Sequence, residues 1–314
     1  MKKMKLMALV ATFLVTIFCL SSFAADIKVS GYVQVQYVNA GEEVKDISND
    51  PIHIKRGRLK VKAKSGSSSG CVYIDGSKDN NISLKEAYVQ HAFDNGIEFT
   101  MGQILLPVSY TVLRSSTKRE LPERPMVTKK LYAGERDRGL TISGKLAEVS
   151  YTIGAFNGVG IKSTNGWKDD NDKKDFVVRL TGVLAGLNWG ASIYSGESGT
   201  STDKKRTGVE FQYTLPTKTE LRTEYIKGKE GKTDVEGWYV LASHPLIENL
   251  TGTVRYDTYD PNKDVKDDAT DTIGVALNYQ LDEATKITLA YLNPKEEGTD
   301  KKNSETTLRV QFKY

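Results

Sequence analysis

The sequence predicts an all-β chain folded as a sixteen-stranded antiparallel transmembrane β-barrel. Three observations carry that prediction. Apolar and polar residues alternate with a period of two from about residue 27 to the end. The connections between these segments swing between short and long, and the long ones are charged. The chain opens on an export signal and closes on an aromatic residue, Tyr314.

The signal comes first. Met1–Lys5 is basic, Leu6–Phe23 is almost continuously apolar, and Ser22-Phe23-Ala24 sets small residues at −3 and −1 of a cut before Ala25. Residues 1–24 therefore read as a Sec-type signal peptide, and residues 25–314 as one exported domain. The competing reading is an uncleaved anchor. Cys19 follows bulky Phe18, which does not suit a lipoprotein cysteine. With Cys19 removed, Cys71 is the one cysteine left, so no intrachain disulfide forms.

The strands follow in order. Val29, Val33, Val35 and Tyr37 alternate with Ser30, Tyr32, Gln34 and Gln36. Leu59, Val61 and Ala63 alternate with Arg58, Lys60, Lys62 and Lys64. Ala87 and Val89 interleave with Glu86, Tyr88 and Gln90; Phe176, Val178 and Leu180 with Arg179 and Thr181. Val209-Phe211-Tyr213, Ile273-Val275-Leu277-Tyr279 and Leu308-Val310-Phe312-Tyr314 repeat the pattern. Segments start near residues 27, 52, 71, 82, 96, 138, 149, 175, 187, 205, 218, 234, 250, 271, 285 and 304. Short links fall at 94–96, 147–148, 185–188, 215–218 and 281–285. Long ones fall at 41–51, 105–137, 158–174, 260–270 and 294–303.

A soluble sandwich shows the same alternation, but it has no reason to gather its long loops at one end. An outer-membrane barrel does. Backbone groups in lipid must be paired internally, so a closed barrel is the sheet that can span. The apolar rows then face lipid and the polar rows a lumen. Tyr225, Tyr256, Tyr279, Tyr291, Phe312 and Tyr314 supply interfacial aromatics, which accounts for 16 tyrosines against three histidines.

Composition narrows function. Lys+Arg is 44 and Asp+Glu 40, which excludes a polybasic nucleic-acid binder and an acidic disordered chain. A mean hydropathy of −0.43 excludes a polytopic helical membrane protein. The charge is uneven: residues 25–146 hold 19 basic and 14 acidic groups, whereas the remainder is net acidic.

One source of the excess is the second strand, where Arg56, Arg58, Lys60, Lys62 and Lys64 fall on one face. Same-face neighbours stand ~6.7 Å apart, and their repulsion is ~2.5 kcal/mol at an effective dielectric near 20. Sequence neighbours offer only Gln34, Gln36 and Asp75 as compensation. Such a file of cations is a device for anion conduction; the alternative is that acids from across the lumen neutralise it. The other source is the 105–137 connection, with Arg114, Lys118, Arg119, Arg124 and Arg136, followed by Arg138. A connection this long is usually functional or disordered. It either folds inward to narrow the channel or stays outside, solvated or on lipopolysaccharide phosphates. Elsewhere Arg179, Arg222, Arg255 and Arg309 are expected inward with Glu210, Glu220, Glu224, Glu236 and Asp257, so the remaining lumen is balanced.

These residues resemble the phosphate-selective porin O and P family. The resemblance rests on IKRGRLKVKA at 54–63, EFTMGQILLPVSYTVLRSS at 98–116, ERP at 123–125, RDRGLTISGKL at 136–146 and YTIGAFNG at 151–158. It implies a sixteen-stranded, usually trimeric outer-membrane barrel passing phosphate-like anions. By resemblance Arg56, Arg58 and Lys60 belong to its basic wall, and 105–137 is its constriction loop. The loop after the ninth strand, around Glu197–Lys204, is short, whereas members of that family can use a longer one to help constrict the pore.

Catalytic and metal chemistry is not expected. His53, His91 and His244 are scattered, and Gly66–Gly70 joins two strands rather than a strand and a helix, as a nucleophile elbow needs. Asp169–Asp172 lacks the Gly and Glu of a calcium loop. The expectation is a passive, anion-preferring porin without cofactor, whose partners are outer-membrane lipid and lipopolysaccharide, small anions such as phosphate, and two further copies in a homotrimer. Alternatives are a weakly selective general porin, a barrel enzyme, and a non-conducting structural or adhesive barrel.

Overall fold

The computed structural model describes residues 25–40, 51–78, 81–132, 134–161, 171–199, 202–299 and 303–314. The signal peptide expected at 1–24, most of the 41–51 connection and much of 158–174 lie outside the described residues.

Sixteen antiparallel strands close into one barrel. They are β1 (Asp26–Ala40), β2 (Ile52–Ser65), β3 (Ser68–Lys78), β4 (Asn81–Ala92), β5 (Glu98–Leu105), β6 (Arg136–Leu146), β7 (Val149–Phe156) and β8 (Asp175–Leu184). Then come β9 (Leu187–Ser198), β10 (Thr202–Thr214), β11 (Glu220–Glu230), β12 (Thr233–Ile247), β13 (Leu250–Asp260), β14 (Thr270–Gln280), β15 (Thr285–Glu296) and β16 (Glu305–Lys313). β1 pairs with β16, Val35 opposite Val310, so no strand edge is left unpaired. Tyr314 locks the seam through backbone bonds of 2.9 and 3.0 Å to Gly31.

Each strand reaches or exceeds eight residues because its two faces meet different solvents. Val29, Phe176, Ile193, Val254 and Phe312 stand exposed on the outer wall, where acyl chains cover them. Tyr225, Tyr256, Tyr279 and Tyr291 are exposed on the same wall, as expected. The start of β1 and the end of β16 share the rim with the tight turns. Gly66 and Gly186 close two of those turns at positive φ, 57° and 82°, which glycine adopts without strain. The Gly66–Gly70 stretch is thus a hairpin turn running into β3.

Two register shifts change the inner wall. Between β1 and β2, Gln34 opposes Arg56 but Val35 opposes Ile54, which leaves Lys55 as an extra residue. Between β3 and β4, Tyr73 opposes Glu86 and Ile74 opposes Leu84, which leaves Lys85 extra. Glu236 corrects a sequence expectation: it lies in the outer row with Trp238, bonded by Tyr225 (2.9 Å) and Lys263, not in the lumen.

The 105–137 connection folds into the barrel. It holds α1 (Tyr110–Leu113), a 3-10 turn at Ser116–Lys118 and α2 (Met126–Leu131). Ser109 Oγ caps α1 by accepting from Val112 N, and Ser115 Oγ caps the 3-10 turn by accepting from Thr117 N. Val108, Val112, Val127, Leu131 and Tyr132 pack against inward Phe156, Val177, Tyr194, Ile226 and Val235 in one buried cluster. Leu121 packs with Tyr239, Leu241 and Leu292 in a second. The lumen is therefore not uniformly polar. On its β7–β15 side it carries a hydrophobic core whose other half is the loop.

Candidate functional site

The site is the space left between the inward loop and the wall of β1–β6. Its making begins with how the loop is anchored. Glu224, 1% exposed, accepts from Thr111 N (2.9 Å), Tyr239 OH (2.7 Å) and the hydroxyls of Ser109 and Thr111. Glu210 accepts from Tyr110 N at 2.5 Å while paired with Arg179. Asp257 accepts from Met126 N at 2.9 Å. Wall cations hold loop carbonyls: Arg255 that of Glu123 (2.8 Å), Lys286 those of Thr117 and Arg119 (both 3.0 Å), Arg309 that of Pro122 (3.3 Å). A loop backbone inside a barrel must find such partners, because buried amides and carbonyls are costly to leave unbonded.

Opposite the loop stands the basic wall. Arg58 bonds Asp75 at 2.8 Å and Tyr32 OH at 2.7 Å, and its guanidinium lies 5.7 and 5.6 Å from the Tyr32 and Tyr73 ring centres. Lys60 reaches Glu86 at 3.2 Å, and Arg136 reaches the same carboxylate at 2.8 Å. Lys55, freed by the bulge, pairs with Glu123 at 2.6 Å. Arg124 pairs with Glu135, and Glu120 bridges Arg114 (2.6 Å) and Arg222 (3.0 Å). The expectation of an uncompensated row is thus corrected for Arg58 and Lys60. Their counter-charges come from β3 and β4, and strand order alone does not give those distances.

A cation excess survives. One cavity of about 380 Å³ is lined by Arg58, Lys60, Arg114, Arg119, Arg124 and Arg136 against only Glu86 and Glu135 as acids, with Lys313 at its rim. Arg114 and Arg119 also line a second cavity of about 370 Å³, beside Lys118, Lys218 and Lys286. Arg124 is shared with a third, smaller one near Lys129 and Glu305. Cationic loop residues therefore sit where successive spaces meet. The buried Nε atoms of Arg119 and Arg124 have no hydrogen-bond partner among the described residues. Burial, then Arg124 and Arg56, pulls Arg119 down to about 9. Burial pushes Glu135 up, but Arg124 and then Arg136 more than offset it and hold it at about 2. Glu123 stays well below the usual range, its burial outweighed by Lys55 and Lys129.

The residues singled out from sequence do not all come together. Arg58, Lys60, Arg114, Arg119, Arg124 and Arg136 meet at the first cavity. Arg56 lies beside them, bonded to Gln34 at 2.8 Å, and Lys118 lines the second cavity. Lys62 opposes Cys71 and Lys64 opposes Ser69 toward the tight-turn rim, away from the constriction. Arg138 stands apart: it opposes Gln103, in the row that Met101 and Leu140 continue as exposed outer-wall residues. Sequence reasoning missed Lys55 and Lys286 as partners of the loop and Tyr73 as a neighbour of Arg58, and it set Tyr32 in the inward row without a role. The register shift between β1 and β2 hides Lys55, and no local signal marks a lysine that will reach a loop carbonyl.

The comparisons agree with this geometry. A model of the Gram-negative porin family matches residues 10–314. No curated protein sequence matches the chain. Among solved structures the chain is similar to an anion-selective porin from Comamonas acidovorans, at 16% identity and a TM-score of 0.68, over 92% of this chain and 99% of that one. It is similar to the outer membrane channel DcaP of Acinetobacter baumannii, at 14% and 0.67, over 92% and 97%. It is similar to the trimer form of OmpT, an outer membrane protein of Vibrio cholerae, at 10% and 0.69, over 93% and 100%. At such identities the likeness speaks for the fold. The family match goes further: the chain belongs to the Gram-negative porin family, and it is an outer-membrane channel.

Proposed function

We propose that this porin is a passive, anion-preferring diffusion channel whose route runs between the inward loop and the β1–β6 wall. The observation that carries the reading is the lining of the 380 Å³ cavity, six inner cations against two carboxylates. Its mechanism is handover among weak cationic stations, Arg124 to Arg58, Lys60 and Arg119, then onward past Arg114 and Lys118. Each station binds well enough to admit an anion and loosely enough to release it. Phosphate-like oxyanions belong to its range, in keeping with the resemblance to the phosphate-selective porins. Export through cleavage after Ala24, contact with lipopolysaccharide and assembly as a homotrimer complete the reading. The outer face of β2–β4 suits a second copy, since Gly57, Gly70 and Gly76 lower its relief and leave open space where a side chain would stand.

A reversal potential across a planar bilayer in a potassium chloride gradient tests it. Anion preference is expected, and it falls on replacing Arg58, Lys60 and Lys62 with glutamine. Cation preference, or indifference to those substitutions, defeats it. The ion pairs Arg58–Asp75 and Lys60–Glu86 favour a second reading, a general porin of weak selectivity, which predicts a reversal potential near zero.

A further inference from the structure

The cation-rich cavity is not lined by polar groups alone. Leu113, at the end of α1, is 38% exposed inside the barrel and faces this space. An exposed leucine on an outer surface needs no account, but this one projects among guanidinium groups into an aqueous lumen. Leu105 lines the same space, and so do the rings of Tyr32 and Tyr73, whose hydroxyls lie 3.3 Å apart. Beside this apolar wall stands Arg119, which forms no ion pair among the described residues and whose Nε finds no hydrogen-bond partner among them, and next to it Arg124, already held by Glu135 and the Val112 carbonyl. A guanidinium with spare donors suits a planar carboxylate, which it binds with two parallel hydrogen bonds. A bare hydrated oxyanion gains nothing from Leu113, Leu105 or the tyrosine rings.

We propose that this chamber takes carboxylates bearing an apolar body, the carboxylate toward Arg119 and the body against Leu113, Leu105 and the rings of Tyr32 and Tyr73. The volume lies within the range of small-molecule sites. The inference rests on the lumen being an anion route, and it adds which anions dwell there longest.

The test uses the full mature protein in a planar bilayer and reads block of the chloride current by acetate, butyrate, hexanoate and inorganic phosphate. Affinity is expected to rise about two- to fourfold per added methylene, as partial burial of each group requires, with hexanoate outranking phosphate. Leu113→Asn is expected to flatten that slope. A flat wild-type series, or phosphate binding tightest, overturns the proposal while an anion-preferring reversal potential leaves the route itself standing. An unchanged slope in L113N overturns the assignment to this chamber. A cation-preferring reversal potential removes the route and the proposal with it.

Discussion

The two sides of the lumen differ although the same alternation builds both. Along β7–β13 the inner row carries Phe156, Val177, Tyr194, Ile226, Val235 and Tyr239, and the loop covers it. Along β1–β4 the inner row carries Arg58, Lys60, Tyr73 and Glu86, which line the cavity, with Gln34 and Arg56 beside them. A period of two says only that a row faces inward. Its chemistry decides whether water or the loop meets it. The dry side positions the loop and the wet side supplies the charge, so the constriction exists only because the two sides are unlike.

Making the dry side wet should have the largest effect. Val112 is 1% exposed in the buried cluster, and Val112→Asp places a carboxylate there at a cost of several kcal/mol. The loop is expected to leave the wall. Single-channel recording should show conductance at least about doubled and anion preference mostly lost, since an unobstructed sixteen-stranded barrel keeps a wide aqueous channel. An unchanged conductance would mean that the apolar cluster does not hold the loop.

Replacing charge on the wet side should act on selectivity rather than aperture. Arg119→Gln removes one guanidinium without an ion pair among the described residues, at the meeting of two cavities, so the anion-to-cation permeability ratio should fall about two- to fivefold, the scale of one charge at a partly screened site. Lys64→Gln, exposed at the rim, should change the ratio by less than about 1.3-fold where salt screens it. Equal effects would erase the distinction between constriction and rim.

The smallest effect is expected from mild acid. Glu135 titrates near 4.5 when unfolded and at about 2 in the folded loop. A depressed carboxylate contributes its stability fully above the unfolded value and loses it as pH falls through the folded one. The Arg124–Glu135 tie should therefore persist from pH 7 to about 4.5 and weaken progressively toward pH 2. Conductance and selectivity recorded down that range should stay flat at first and drift only below about pH 4. A transition near pH 5 to 6 would place control elsewhere.

Much of the fold was legible in the sequence because membrane-spanning strands answer to a local rule. Val29 to Tyr37 and Leu308 to Phe312 show which side meets lipid with no knowledge of their partners. The strand count, the closed barrel, the outward tyrosines and the basic character of β2 follow from that rule and from composition. The ion pairs do not. Lys60 meets Glu86 across an intervening strand, Arg124 meets Glu135 across a loop, and Arg309 reaches the Pro122 carbonyl from the far end of the chain. Nor do the shifts that turn Lys55 inward, or the fit of Val112 and Val127 against Ile226 and Val235. By itself the sequence determined which residues face fat and which face inward, since side-chain direction repeats every second residue. Only the tertiary structure decided which inward residues touch, because strand register, bulges and the path of the loop depend on closing the whole ring.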